Sequence, residues 1–211
     1  MIREDIDSFI KTIPNNVTLV AATKYVDIDD MRLLLEHGIN NFGENRVDSF
    51  LYKYDQLKNE NIIWHFIGHL QRNKCKDVIN KINVLHSLDS IELAKIIEKE
   101  RKDILPVFVE VSINLEENKN GVDYRFLKDF ILKLKEFKKI KVIGLMMMSK
   151  KYSNHEELIN QFKKLKEIRN NLEKELNISL PSLSMGMSND YIEAISQDAN
   201  YIRLGRILFN L

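Results

Sequence analysis

The sequence predicts an α/β protein: a closed (β/α)8 barrel of the TIM type, in a single domain spanning residues 1–211. Three observations carry this. Short apolar runs alternate with longer amphipathic stretches from one end of the chain to the other. Several runs are nearly continuous hydrophobes, as in Leu105-Pro106-Val107-Phe108-Val109-Glu110-Val111, and strands of a parallel sheet read this way because both faces are covered. Three prolines, seven glycines and the lack of any low-complexity tract leave no linker at which to divide the chain.

In order along the chain, a helix over about residues 2–12 precedes the first strand. The strand candidates are Val17–Ala22, Ile39–Phe42, Ile62–Ile67, Ile82–Leu85, Leu105–Val111, Ile140–Leu145, Leu180–Met185 and Tyr201–Leu204. Helical stretches fill the seven gaps between them. Asp27 ahead of Met31, Leu34 and Leu35 marks one helix start, and Gly38 its stop. Ser153-Asn154-His155-Glu156 signals a capping box ahead of Leu158, Phe162, Leu165, Leu172 and Leu176, which share one helix face. Gly205–Leu211 is too short for a last helix, so the leading helix is expected to complete the helical ring. Strict alternation implies right-handed parallel crossovers, and eight strands favour closure. A doubly wound open sheet is the structural alternative.

Composition narrows the function classes. The 211 residues are 44% hydrophobic and 30% charged, with a formal net charge of +1. That balance lacks the positive excess of a nucleic-acid-binding protein. No apolar run approaches the roughly 20 residues needed to cross a bilayer, and the N-terminus lacks a secretory apolar segment. A cytoplasmic protein with neither nucleic-acid nor membrane partners is expected. The single cysteine, Cys75, excludes an internal disulfide and reads as structural.

Active sites of parallel barrels form at the C-terminal strand ends, and the unusual residues fall there. Lys24 follows Leu19-Val20-Ala21-Ala22, at the barrel mouth; a partly desolvated lysine amine can be neutral and form an imine, although a strand-end lysine can also snorkel to solvent. Ser184-Met185-Gly186-Met187-Ser188 leads into a helix start, and Gly205 follows the last strand; together they suit a phosphate between the seventh and eighth loops, or else a plain N-cap at Ser188 and a turn glycine. Arg203 either points inward to a ligand or pairs with a carboxylate. His65 reads as a hydrogen-bonded core group. His65 and His69 lack metal-ligand spacing, and no metal site is expected. The run Met146–Met148 reads as barrel lining.

The segments Ala22-Thr23-Lys24, Phe42-Gly43-Glu44-Asn45, His65 through Lys74, Gly144-Leu145-Met146, Leu183 through Ser188 and Arg203-Leu204-Gly205 occur in this order. With them the chain closely resembles the pyridoxal 5'-phosphate (PLP) homeostasis protein family, whose barrel is like the N-terminal domain of alanine racemase. The resemblance covers essentially the whole chain. It implies PLP, a form of vitamin B6, as cofactor, held as a Schiff base on Lys24. It further implies Ser188, Gly205 and Arg206 around the phosphate, Arg203 at the pyridine nitrogen and Asn45 near the ring. Two departures stand out: Arg206 replaces a small hydroxyl residue, and the tail is shortened to Asn210-Leu211.

Three functions follow as expectations. The first is a PLP carrier, buffer or regulator with little or no turnover, monomeric, with PLP-dependent apo-enzymes as recipients. The second is a weak amino-acid racemase, for which a base opposite Lys24 is needed. The third is a barrel for another phosphorylated metabolite, with Lys24 forming a substrate imine.

Overall fold

The computed structural model describes residues 2–114 and 120–209. Strands β1 (Thr18–Ala22), β2 (Asn41–Glu44), β3 (Ile63–Phe66), β4 (Val84–Leu88), β5 (Leu105–Ser112), β6 (Val122–Asp123), β7 (Ile140–Met146), β8 (Ser182–Met187) and β9 (Tyr201–Leu204) follow in sequence. All strands except β6 form a ring of parallel pairs, β1-β2-β3-β4-β5-β7-β8-β9. Pairing of β9 back onto β1, Thr18 to Tyr201 through Ala21 to Leu204, closes it. That pairing excludes the open sheet. The two-residue β6 was not expected; it extends the far end of β5, pairing with Val111 and Ser112.

Helices α1 (Ile6–Ile10), α2 (Ile28–Glu36), α3 (Val47–Gln56), α4 (Cys75–Val78), α5 (Ile91–Glu100), α6 (Leu127–Leu134), α7 (His155–Leu176) and α8 (Tyr191–Ser196) surround the ring. The leading helix is shorter than expected because Ile2 and Arg3 spend their backbone elsewhere. Ile2 bridges Phe209 antiparallel, and the Arg3 N–H donates to the Leu208 carbonyl at 3.0 Å. Phe9 of α1 meets the ring of Tyr191 on α8 edge-on, with centroids 6.0 Å apart. Helix α1 thus covers the side that a helix after β9 would otherwise cover. Asn210-Leu211, on which the expectation about the tail falls, lie outside the described residues.

The helix signals act as the sequence suggests. Asp27 accepts from the Asp30 N–H at 2.9 Å, and Gly38 takes φ +79° just after α2. The capping box on α7 sits one residue later than the Ser153–Glu156 signal, formed reciprocally by Asn154 and Glu157, and the helix ends on Asn177 in the left-handed conformation. No described helix is long and apolar enough to cross a membrane.

Two apolar clusters result from the strand alternation. Ala21, Phe42, Trp64, Phe66, Val107, Val109, Leu145, Leu183 and Ile202 join the main core with the helices. Val84, Phe108 and Met146 form a smaller cluster with Ile143 and Tyr201. Alternate residues of β5 therefore divide between the clusters, the pattern of a strand buried on both faces. Met146 is buried in the smaller cluster as expected of barrel lining, whereas Met147 is buried in the main core shared with the helices and Met148 is 47% exposed.

Candidate functional site

The strands deliver their C-terminal ends to one mouth. There a cavity of about 710 Å³ is lined by Lys24, Ser188, Arg203, Gly205 and Arg206, together with Tyr25, Lys150, Lys151, Tyr152 and Asp190. The structure thus gathers every candidate except Asn45. Five cationic side chains face one carboxylate, and that carboxylate is already engaged: Asp190 accepts from Ser149 Oγ and from the Met187 N–H. The chemistry favours an anionic guest.

Lys24 lies in a turn just past β1 rather than on the strand. It is exposed, so the protein's own atoms do not provide the partial burial expected of it. Its ammonium rests over the exposed ring of Tyr25, 4.8 Å from the centroid. The mouth, not the lumen, holds this amine.

Arg203 does point inward, and only 5% of it is exposed. Nη1 donates to Ser184 Oγ at 2.6 Å and Nη2 to the Met147 carbonyl at 2.9 Å. Burial lowers its pKa to about 10, while Glu110 and Asp190 pull the other way, so it remains a cation near neutral pH. Behind it runs a polar chain. Ser184 Oγ lies 2.8 Å from His86 Nδ1, His86 Nε2 lies 2.9 Å from His65 Nδ1, and His65 Nε2 lies 3.0 Å from Asn41 Oδ1. Arginine can only donate, so Ser184 accepts from it and spends its proton on His86. Each later group then accepts from Arg203's side and donates toward Asn41. Burial pushes the His65 pKa to about 3 and that of His86 well below the usual value, so both rings are neutral donor–acceptors. His65 is the hydrogen-bonded core group the sequence suggests. His69 instead meets Asp89 at the surface, 3.1 Å away. Among the described residues no histidine, cysteine or carboxylate cluster suits a metal ion.

The loops after β8 and β9 are tied together. Ser188 Oγ accepts from the backbone N–H of Gly205 at 3.2 Å and of Ile207 at 3.4 Å. Ser188 is not the N-cap of α8; Asp190 holds that position. Gly186, at φ +92°, lets β8 turn tightly against α8, where a Cβ would lie 2.7 Å from that of Ala194. Arg206 is exposed at the mouth. Asn45 sits apart from this cavity, half-buried, with its Oδ1 buried and without a hydrogen-bond partner. Gly68 packs on its backbone so closely that a Cβ would stand 2.3 Å from the Asn45 carbonyl oxygen.

Sequence reasoning passed over four buried polar residues, Glu110, His86, Glu44 and Lys53. Glu110 on β5 is 4% exposed, and burial with help from Asp89 raises its pKa to about 7 against the pull of Arg203. His86 directly follows the fourth strand run, where a lone histidine carries no signal of its own. Glu44 and Lys53 form a buried ion pair beneath the Lys24 turn, 2.7 Å apart. An acid inside an apolar strand run was the available signal for Glu110. Cys75 is inert, its thiol pushed up to about 12 by burial.

Fold and mouth together define a (β/α)8 barrel whose open end is cationic and built from the loops after its first, sixth, seventh and eighth strands. The sequence profile of the alanine racemase N-terminal domain matches residues 2–211. A pyridoxal phosphate homeostasis protein of Aquifex aeolicus is 40% identical over 198 residues, covering 92% of this chain and 87% of that protein. One from Synechocystis is 35% identical, covering 95% and 94%. PipY of Synechococcus elongatus, solved without PLP, superposes with a TM-score of 0.93 at 28% identity over the full length of both chains. With PLP bound it gives 0.91 at 27% identity, over 98% of this chain and 99% of that one. The chain belongs to the pyridoxal phosphate homeostasis protein family. Alanine racemase from Corynebacterium glutamicum, 15% identical with a TM-score of 0.79, shares the fold.

Proposed function

We propose that this chain binds PLP in the mouth cavity through a Schiff base on Lys24, and serves as an intracellular carrier and buffer of that cofactor with little or no turnover. One observation carries the reading: the cavity brings Lys24, Ser188, Arg203, Gly205 and Arg206 together, on a barrel that superposes on PLP-bound PipY.

The residues suit the group. A volume of about 710 Å³ falls within the ~300–1,000 Å³ usual for small-molecule sites. Five cationic side chains against one carboxylate that is already engaged suit the anionic phosphate of the guest. When bound, PLP supplies an aldehyde carbon to which a lysine amine adds with loss of one water. Lys24 provides that amine from the mouth. Ser188, Gly205 and Arg206 hold the phosphate, the exposed arginine adding charge where the family usually has a hydroxyl. Arg203 faces the pyridine nitrogen as a donor that keeps its own proton, so the ring stays unprotonated. A ring without that charge draws electrons weakly, which favours storage over carbanion chemistry. The 1–211 span acts as one unit in this role, as a monomer in the cytoplasm, with PLP-dependent apo-enzymes receiving the cofactor.

The test is a spectrum of purified protein with added PLP, followed by borohydride and peptide mapping. An imine band near the visible edge and a reduced adduct on Lys24 are expected, both absent in Lys24→Ala. An undiminished band and adduct in Lys24→Ala would sink the reading. A weak racemase is the second reading, because Tyr25 and Tyr152 line the same cavity and offer phenols as a second base. Steady formation of D-alanine from L-alanine, lost in Tyr25→Phe or Tyr152→Phe, would favour it over the carrier.

A further inference from the structure

Beneath the Lys24 turn lies machinery that this function does not yet use. Lys53 on α3 and Glu44 at the end of β2 have side chains 7% and 0% exposed, with Nζ 2.7 Å from Oε1. The same Nζ donates to the Thr23 carbonyl at 2.5 Å. Thr23 Oγ1 donates to Glu44 Oε1 at 2.6 Å, and its backbone N–H donates to the Gly43 carbonyl at 3.0 Å. Ser49 Oγ donates to the other Glu44 oxygen at 3.0 Å. Thr23 is therefore held at its N–H, its hydroxyl and its carbonyl, and Lys24 is the next residue.

A buried ion pair is an expensive way to fill space, since apolar residues of the same volume often serve stability as well or better. What apolar residues cannot do is grip a carbonyl oxygen. The position matters because Lys24 is not the sole amine at the mouth. Lys150 and Lys151 line the same cavity and are likewise exposed. Chemical type alone does not choose among three primary amines, whereas orientation does.

We infer that the Lys53–Glu44 pair is a positioning device that makes Lys24, and not Lys150 or Lys151, the lysine that bonds an aldehyde guest. It acts through the Thr23 carbonyl by fixing the turn between β1 and α2. The inference rests on the proposed function. Neither Lys53 nor Glu44 touches the guest.

The experiment reads the distribution of adduct among lysines. Wild type, Lys24→Ala and the double variant Lys53→Met with Glu44→Gln are incubated with PLP and reduced with borohydride, which adds hydride to the C=N carbon and leaves a stable secondary amine. Peptide mass mapping then gives the share on Lys24, Lys150 and Lys151, and thermal melting without PLP reports folding. The double variant removes both charges together, so no single charge is stranded in the interior. Wild type is expected to carry its adduct on Lys24, and the folded double variant to lose that preference by about ten-fold in favour of Lys150 and Lys151. A purely structural role would lower all three sites alike. An unchanged Lys24 share in the folded double variant overturns the inference while leaving the proposed function standing. Should the double variant not fold, Lys53→Arg, which keeps the charge beside Glu44 but displaces the donor that grips the Thr23 carbonyl, carries the same comparison with about a three-fold drop expected; an unchanged share again overturns it. A wild type without adduct on Lys24 overturns both readings.

Discussion

Glu110 interrupts the apolar run of β5, and its surroundings decide its charge. Burial raises its pKa to about 7, above an ordinary value of 4.5. A group whose folded pKa is raised contributes stability that is fully present below the unfolded value and lost as pH rises through the folded one. The window therefore runs from about pH 4.5 to about pH 7, and the loss reaches up to about 3 kcal/mol above it. Glu110→Gln is expected to match wild type near pH 4.5 and to exceed it by that order at pH 8. Urea denaturation at both pH values checks this, and an equal gap at both would contradict it. The residue scale was the least legible. Lys53 occupies an amphipathic helix, where a lysine ordinarily faces water, and pattern alone does not reveal that Glu44 waits across the interface. Arg203 was open to two readings because a strand-end arginine fits a ligand or a carboxylate equally well; its bonds to Ser184 and the Met147 carbonyl place it within the barrel.

At the scale of elements, the longest helix depends on its start. Asn154 accepts from the Glu157 N–H at 2.9 Å while Glu157 returns a bond to the Asn154 N–H at 2.9 Å. Asn154→Ala breaks this exchange and is expected to cost about 1 kcal/mol, within a range of roughly 0.5–2 kcal/mol. Thermal or urea unfolding measures it, and an unchanged midpoint would show that α7 is held by packing alone. Elements of this kind were readable because their signals are local: Asp27, Asn154 and Gly38 stand where backbone groups need partners. β6 was not readable, since two residues carry no periodicity and it exists only by pairing with the end of β5. Helix α1 was overestimated because nothing local announces that Ile2 bonds with Phe209, more than two hundred residues away.

For the whole molecule, the polar chain behind Arg203 links stability to acid. His65 and His86 are neutral when folded, the first pushed to about 3 and the second well below its ordinary value by burial, but take a proton near pH 6.5 when unfolded. A depressed folded pKa means stability that is present above the unfolded value and lost as pH falls below it. Each histidine then removes about 1.4 kcal/mol per pH unit below about 6.5. Glu110 returns a similar amount per unit down to about pH 4.5, so the two effects partly cancel. The unfolding free energy in urea is expected to fall between pH 6.5 and pH 5, and more steeply in Glu110→Gln. A flat profile in that variant would mean that the histidines titrate alike in both states.

The lumen below the mouth is plugged: Val20, His86 and Phe108 have no exposed surface, and Met146 and His65 only 1%. A vessel stopped at one end has a single doorway, and traffic through it is one-way at a time. A tenant seated against that floor is expected to leave before a newcomer of the same kind takes its place. Chasing labelled PLP from the protein with rising amounts of the unlabelled compound should leave the departure rate constant unchanged. An accelerating rate would show that a second molecule enters the mouth before the first has left.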